Sequence, residues 1–366
     1  MSKIISSPTR YIQGVGELDR LAQHTATLGS RAFVIADNFV MNMTKDRIAA
    51  SFAGTDQQFK MELFQGESTK AEVDRLSELC RAFKADVVVG IGGGKTLDTA
   101  KAIGYYCDRL PVVVVPTVAS TDSPCTALTV FYHEDGSFDR YLFLPINPAA
   151  VIVDTAIIAQ APVRMLVAGM GDALSTYFEA RAVSRANKLN LVGGHVSAAS
   201  LALARLCYDT VVQEGSKAKV AAEAHVVTEA LERIVEANTY LSGVGAEGGG
   251  LAAAHAIHNG LTVLEEAHGM YHGEKVAFGT LCQLVLENAP IDEIEEVIEF
   301  CLDVGLPVTL ADLGVKTIKE DEIRKVAELA CADGDTMSNM PFEVTPEKVY
   351  AAILVADRLG HMYKGT

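Results

Sequence analysis

The sequence predicts an α/β protein with two domains, a parallel-sheet domain over residues 1–162 and an all-helical domain over residues 163–366. Two observations support this prediction. In the first part, short continuous runs of Val, Ile and Ala alternate with segments of helix length, which is typical of a parallel sheet covered by helices. After Pro162, long amphipathic stretches follow one another with almost no strand-like runs between them.

Four apolar runs in the first part are the predicted strands, because their apolar residues are continuous rather than alternating. They lie at residues 31–37, 86–94, 111–116 and 150–154. Two of the segments between them, residues 70–83 and 95–107, have the length and pattern of helices. Asp135 and Gly136 separate two further apolar runs and predict a hairpin within residues 127–145.

The second part contains amphipathic stretches that are typical of helices, at residues 163–184, 189–212, 218–242 and 346–363. The sequence shows no internal repeat and no flexible linker between the two parts. We therefore expect the two domains to pack closely and to enclose a cleft.

The composition excludes several classes of function. Lys and Arg number 31 and Asp and Glu 47, so the net charge is 31 − 47 = −16, which argues against binding to nucleic acid. The apolar runs are too short for a membrane span, and the N-terminal residues lack the apolar stretch of a signal peptide. Seven cysteines are scattered without a Cys-x-x-Cys pair, which favours a reducing compartment, and we expect a cytoplasmic protein.

A glycine-rich segment follows the predicted strand at residues 86–91 and opens a helix. Its glycines, Gly92, Gly93 and Gly94, let the backbone come close to a bound group, and Lys95 follows directly. Free N–H groups at the start of a helix attract phosphate, so the segment predicts a pyrophosphate site. It matches neither G-x-G-x-x-G nor the Walker pattern, and a tight strand-to-helix turn is the structural alternative.

Polar residues also end two other predicted strands. Asp37 could bind ribose hydroxyls and would repel a 2′-phosphate, which favours NAD over NADP, although an Asp at this place is also a common helix cap. Thr117, Ser120, Thr121 and Asp122 follow the third strand, at the edge where parallel sheets bind ligands. A plain turn is the alternative for this hydroxyl-rich loop.

Four of the nine histidines, His255, His258, His268 and His272, lie in one stretch of the helical part. Pairs at i,i+3 and i,i+4 can share a helix face. Two histidines and a carboxylate give a divalent ion three ligands and leave one position open, as in catalytic zinc sites. Asp172, a charge in an apolar helical run, is the candidate carboxylate. For His258 and His268, ordinary hydrogen-bonded roles stay open.

Five motifs together resemble the metal-dependent alcohol dehydrogenases often called iron-containing, which share a fold with dehydroquinate synthase. The motifs are GGGKTLDTAKA, PTVASTDSP, MGDALSTYFEAR, AAHAIHNG and YHGEKVAFG, and the resemblance covers essentially the whole chain. It implies that residues 1–162 bind NAD and that residues 163–366 hold a metal ion and the substrate. Within the family, the motifs are most similar to bacterial members that oxidise glycerol to dihydroxyacetone. The resemblance also implies a homo-oligomer, an octamer.

The resemblance assigns roles residue by residue. The metal ligands, which would also contact the substrate, fall on Asp172, His255 and His272. Iron-using members have a further His one helical turn after the Asp, where this chain has Thr176, which favours a three-ligand zinc site. Asp122 matches the position that approaches the polyol, and we expect it to act in catalysis by orienting a hydroxyl. The implied cofactor-binding residues are Asp37, Gly92, Gly93, Gly94, Lys95, Thr96, Leu97, Asp98, Thr117, Ser120, Thr126, Leu128 and Tyr132, the last three near the nicotinamide.

Other functions remain open from the sequence. A lyase of the dehydroquinate synthase type would use the same fold, NAD and zinc with a phosphorylated substrate, but few cations, chiefly Lys275, accompany the metal motifs. A dehydrogenase for another small diol or for glycerol 1-phosphate is nearer in chemistry. A non-catalytic nucleotide-sensing protein would keep the fold, and the intact set of glycine loop, Asp172 and histidines argues against it.

Overall fold

The strands lie in the first half of the chain. A computed structural model describes residues 2–365. These residues contain eight strands, at Tyr11–Gly14 (β1), Arg31–Ala36 (β2), Gln58–Leu63 (β3), Val87–Gly92 (β4), Val112–Pro116 (β5), Leu128–Tyr132 (β6), Phe138–Phe143 (β7) and Ala150–Asp154 (β8).

Helices cover the sheet and dominate the second part of the chain. Residues 2–365 form fourteen α-helices, at Leu21–Thr25 (α1), Asn38–Phe52 (α2), Lys70–Phe83 (α3), Gly94–Tyr106 (α4), Thr155–Ala159 (α5), Val163–Ala186 (α6), Ala198–Glu223 (α7), Glu229–Glu236 (α8), Ser242–Gly249 (α9), Ala253–Leu261 (α10), His272–Leu286 (α11), Ile291–Val304 (α12), Glu320–Ala330 (α13) and Pro346–Lys364 (α14). A π-helical segment, Ala237–Leu241, joins α8 to α9. None of the helices in this part of the chain has the length and hydropathy that a membrane span requires.

Six strands form one parallel sheet in the order β1-β8-β5-β4-β2-β3, which confirms the predicted fold class. The inner strands β4, β5 and β8 are buried along their whole length. Buried apolar clusters lie on both faces of the sheet, which is why these strands are continuous apolar runs in the sequence. Outside this sheet, β6 and β7 pair antiparallel as the hairpin that Asp135 and Gly136 predict.

The two edge strands were not predicted from the sequence. β1 is only four residues long and half-buried, and β3 (QFKMEL) alternates polar and apolar residues. An edge strand has a neighbour on one side only and faces solvent on the other, so it does not need the continuous apolar run of an inner strand. The criterion that found the inner strands therefore fails at both edges.

Two of the amphipathic stretches are not single helices. The stretch at residues 189–212 is helical only from Ala198, because Gly193 turns the chain with a φ of 77° and Ser197 caps α7. The stretch at residues 218–242 breaks after α7 at His225, whose φ is 55°, and continues as α8 behind the Thr228 cap. Hydrophobic periodicity continued through both breaks and hid them.

Side chains from the helical part fix the loop that follows β5. Glu247 on α9 accepts a hydrogen bond from the backbone N of Ala127 at 2.7 Å and binds the side-chain amide of Asn147. Asn238 donates to the backbone O of Ala119 at 2.9 Å. The loop at residues 117–127 therefore lies against the helical part, where the predicted metal ligands are found.

Candidate metal centre and cofactor cleft

The structure brings the three predicted metal ligands together. Asp172 lies in the middle of α6, His255 on α10 and His272 at the first residue of α11. The Oδ1 atom of Asp172 is 3.6 Å from Nε2 of His255 and 3.2 Å from Nε2 of His272. One ligand atom from each residue lies within 4.8 Å of the others, so the three could hold a single ion. Two imidazole nitrogens and one carboxylate oxygen suit a catalytic zinc site.

Glycines allow α6 and α11 to approach closely enough to form this cluster. A Cβ atom at Gly273, next to His272, would lie 1.8 Å from the backbone O of Ala168 on α6. A Cβ atom at Gly171, next to Asp172, would lie 2.4 Å from the backbone O of Gly273. Only residues without a side chain fit at this crossing, and the crossing sets the distance between the two ligands.

Glu179 orients His255 and was not found by the sequence analysis. Its Oε2 atom lies 2.6 Å from Nδ1 of His255, and its Oε1 atom accepts hydrogen bonds from the backbone N of Ala252 and His255. The ring must therefore donate from Nδ1, which directs Nε2 toward Asp172. Glu179 is seven residues after Asp172, two helical turns along the same face of α6, and this spacing was the available signal.

The charges in the cluster favour a bound cation. Burial alone would raise the pKa of Asp172, but His272 and His255 hold it far below its usual range, so this carboxylate is ionised. Burial lowers the pKa of His255, but the carboxylates of Glu179 and Asp172 together raise it well above its usual value. A cation at Nε2 would displace that proton, so metal binding should release protons.

The other two histidines of the stretch are not in the ligand cluster. His258 lies behind His272, with its Nε2 atom 3.0 Å from Nδ1 of His272. Burial, and then the nearby His272 and His255, lower its pKa well below the usual value, so its ring is neutral. His268 is exposed, and its Nε2 atom contacts the backbone O of Thr262 at 3.0 Å. Both histidines have the hydrogen-bonded roles that the sequence left open.

Asp122 lies directly beside the ligand cluster. Its backbone N donates to Oδ2 of Asp172 at 3.3 Å, and its own carboxylate accepts from the hydroxyl of Ser242 at 3.3 Å. The hydroxyl of Ser242 also lies 3.0 Å from the hydroxyl of Thr176. Thr176 is the residue at the position where the family resemblance places a further histidine in iron-using members. Burial and the charge of Asp172 raise the pKa of Asp122 to about 7. Asp122 is thus a second carboxylate at the edge of the cluster.

The glycine loop has the geometry of an anion site. Gly92 ends β4 with a φ of 155°, and a Cβ atom there would lie 2.7 Å from Oγ1 of Thr96. Gly93 precedes α4, and no side chain caps the start of that helix. A Cβ atom at Gly94 would point into open space. The first N–H groups of α4 are therefore uncapped by side chains and open to a phosphate group.

Three other predicted cofactor residues, Lys95, Tyr132 and Thr117, lie beside this loop. Lys95 binds Glu67 at 2.6 Å and lies over the ring of Tyr132, 5.0 Å from its centroid. The backbone N of Thr117 donates to Gly92 at 3.0 Å, which joins the ends of β5 and β4. Ser120, in the loop after β5, and Leu128, the first residue of β6, are half-buried, and their contact with a cofactor stays a prediction.

Three predicted cofactor residues are buried and make contacts within the protein itself. Leu97 belongs to the buried core, and the hydroxyl of Thr126 donates to the backbone O of Ser123 at 3.2 Å. Asp98 accepts from the Ser123 hydroxyl and the backbone N of Val130, both at 2.9 Å, and from the buried Lys101 at 2.8 Å. Asp98 and Thr126 thus support the loop that carries Asp122, and direct contact of the three residues with a cofactor stays a prediction.

Asp37 has the helix-capping role that the sequence left open. Its side chain accepts a hydrogen bond from the backbone N of Val40 at 2.9 Å and so caps α2. The residue is half-buried at the end of β2, on the same edge of the sheet as the glycine loop. Capping uses one carboxylate oxygen, and a ribose contact through the other stays a prediction.

Comparisons with known proteins identify the family. The sequence profile of a family described as iron-containing alcohol dehydrogenase matches residues 8–155. Over 363 residues the chain is 57% identical to a glycerol dehydrogenase of Citrobacter freundii, with 99% of each chain covered. A glycerol dehydrogenase of Thermotoga maritima is 52% identical over 358 residues, which cover 98% of this chain and 97% of the relative. The crystal structure of glycerol dehydrogenase from Schizosaccharomyces pombe matches with a TM-score of 0.95 at 38% identity, covering 99% of this chain and 93% of that one.

These similarities extend over nearly the whole chain, and they confirm the resemblance that the five motifs indicate. The chain therefore belongs to the iron-containing alcohol dehydrogenase family and is an oxidoreductase.

Proposed function

We propose that the protein oxidises glycerol to dihydroxyacetone with NAD, using a zinc ion held by Asp172, His255 and His272. The observation that supports this most is the ligand cluster beside Asp122, on the loop that continues from the glycine-rich edge of the sheet. The proposed substrate is inferred from the relatives. Two of them are glycerol dehydrogenases that are more than 50% identical to this chain.

Zinc is proposed rather than iron for a reason of ligand number. Thr176 stands at the place of the fourth protein ligand of iron-using members, and its hydroxyl bonds Ser242. The remaining two nitrogens and one oxygen match the donors of catalytic zinc. NAD is proposed rather than NADP because Asp37 would repel a 2′-phosphate at the end of β2.

Each part of the site would have a distinct role in the reaction. A bound zinc ion would lower the pKa of a substrate hydroxyl, and NAD would accept the hydride. Asp122 accepts a hydrogen bond from a second hydroxyl of the polyol and so selects which carbon faces the nicotinamide. The open helix start at Gly93 and Gly94 would hold the pyrophosphate. The loop around Asp122, fixed by Asp98 and Glu247, keeps substrate and cofactor in register.

The test is NADH formation from glycerol and NAD by the purified protein, the chelated protein and the chelated protein after zinc is restored. We expect activity that disappears with chelation, returns with zinc and is weaker with NADP. Asp172→Asn should lose bound metal and activity together, whereas Asp303→Asn, a change of an exposed Asp on α12, should keep both.

Several outcomes would contradict the proposal. Full metal content and activity in Asp172→Asn would remove this residue from the site. Zinc and NAD binding without NADH from glycerol would point to another small diol or to glycerol 1-phosphate, which the same assay can compare. Release of phosphate without net NADH would favour the lyase.

Assembly and location are proposed on separate grounds. The family resemblance favours a homo-oligomer, an octamer, and native mass spectrometry would show the number of subunits. All seven cysteines are free thiols, and six of them are buried. Thiols that stay reduced suit the cytoplasm. Fractionation of cells that express the protein would test this location.

A further inference from the structure

His258 is not one of the three proposed metal ligands, yet it lies in the middle of a series of hydrogen bonds that ends at the metal cluster. The series runs from Asp335 through Asn259 and His258 to His272. We propose that His258 is a positioning residue that fixes which nitrogen of His272 faces the metal ion, through this series. The proposal rests on the metal site of the proposed function and adds to it the means by which His272 is oriented.

The donor and acceptor of each hydrogen bond in this series follow from Asp335, at the end away from the metal cluster. The carboxylate of Asp335 can only accept, so the 3.0 Å contact to its Oδ2 atom must be a donation from Nδ2 of Asn259. The amide orientation is then fixed, and the Oδ1 atom of Asn259 faces Nδ1 of His258 at 3.1 Å. An amide oxygen accepts, so His258 carries its hydrogen on Nδ1.

The hydrogen bond between His258 and His272 is then determined as well. With its ring hydrogen on Nδ1, His258 presents Nε2 as the acceptor in the 3.0 Å contact with Nδ1 of His272. His272 must then donate from Nδ1, and its Nε2 atom, 3.2 Å from Asp172, keeps the lone pair that a metal needs. The opposite direction would place the hydrogen of His272 on Nε2 and block the site.

His272 needs this support more than His255 does. The side chain of His255 is 12% exposed, and Glu179 holds it directly. The side chain of His272 is 37% exposed, so packing restrains its ring less, and His258 is its hydrogen-bond partner at Nδ1. The two ligands are thus oriented by different means: a buried carboxylate for His255, and a series of hydrogen bonds to a distant carboxylate for His272.

The experiment measures zinc affinity of the metal-free protein by competition with a chelator, beside the unfolding midpoint of the same samples. His258→Phe keeps a planar ring and removes the acceptor, and we expect zinc to bind about 10- to 100-fold more weakly. His258→Gln can place an amide oxygen near the Nε2 position and should bind within a few-fold of the unchanged protein. His268→Gln, at the exposed histidine of the same stretch, is the matched control and should not differ.

A second variant keeps the test valid if His258→Phe does not fold. Asn259→Leu breaks the series one step further out and should weaken zinc binding in the same direction by less. Unchanged zinc affinity in the folded His258→Phe or Asn259→Leu protein would overturn the proposal, as would equal weakening by Phe and Gln. If the unchanged protein itself failed to bind zinc, the metal step of the proposed function would be wrong instead.

Discussion

Replacing Gly273 by Ala should damage the metal centre without touching a ligand. The new Cβ atom would lie 1.8 Å from the backbone O of Ala168, whereas such contacts essentially never fall below 3.0 Å, so the start of α11 must move by about 1.2 Å. The atom it meets belongs to backbone and cannot turn aside. His272 is the neighbouring residue and must move with it. Metal sites tolerate changes of about 0.2 Å in ligand distance. We therefore expect zinc affinity to fall at least 10-fold, by analogy with the loss of a residue that supports a ligand.

Two measurements check this prediction. Chelator competition gives the zinc affinity, and urea unfolding of the metal-free protein gives the stability, which should fall by about 1–3 kcal/mol for an overpacked site. Gly269→Ala is the matched control, because a Cβ atom there meets nothing within 4 Å. The reasoning would be refuted if Gly273→Ala bound zinc as the unchanged protein does, or if both glycine variants lost zinc equally.

Variants at three further positions test other parts of the site. Glu179→Gln places an amide donor against one of the donors that Glu179 now accepts from, and zinc should bind about 10- to 100-fold more weakly in chelator competition. Asp37→Asn should keep the cap on α2 but lose the charge, so kcat/KM with NADP should rise relative to NAD while the unfolding free energy stays the same; Asp37→Ala should in addition cost about 1 kcal/mol. Gly92→Ala would press on Thr96 at 2.7 Å, and KM for NAD should rise with zinc content unchanged. An unchanged KM would mean that the glycine loop does not hold the cofactor.

The sequence predicts the inner sheet well and its edges poorly. The buried strands β4, β5 and β8 are apolar on both faces, so their signal is a plain run of Val and Ile. Edge strands such as β3 face solvent and mix polar with apolar residues. The breaks before α7 and α8 were also not predicted. Hydrophobic periodicity does not indicate where the backbone turns with positive φ, as it does at Gly193 and His225.

The candidate site shows the same division. Asp172, His255 and His272 could be singled out because charged and imidazole groups stand out in apolar helices, and the family resemblance supported them. The residues that orient them were harder to find. Glu179 could have been found from its spacing on α6, whereas Asp335 comes from a distant loop and reaches His272 only through two intermediate side chains. Only the tertiary structure brings Asp335, Asn259, His258 and His272 into contact, so no local sequence pattern reveals these hydrogen bonds.

The placement of Asp172 and Glu179 on one helix limits how this protein can change in length. One residue inserted between them would rotate Glu179 by about 100° around α6 and remove it from His255, even if the helix itself remained intact. The exposed turn at Asp135 and Gly136, by contrast, only connects β6 to β7. Relatives or designed variants that differ in length should therefore differ at the hairpin tip and keep the seven-residue interval on α6.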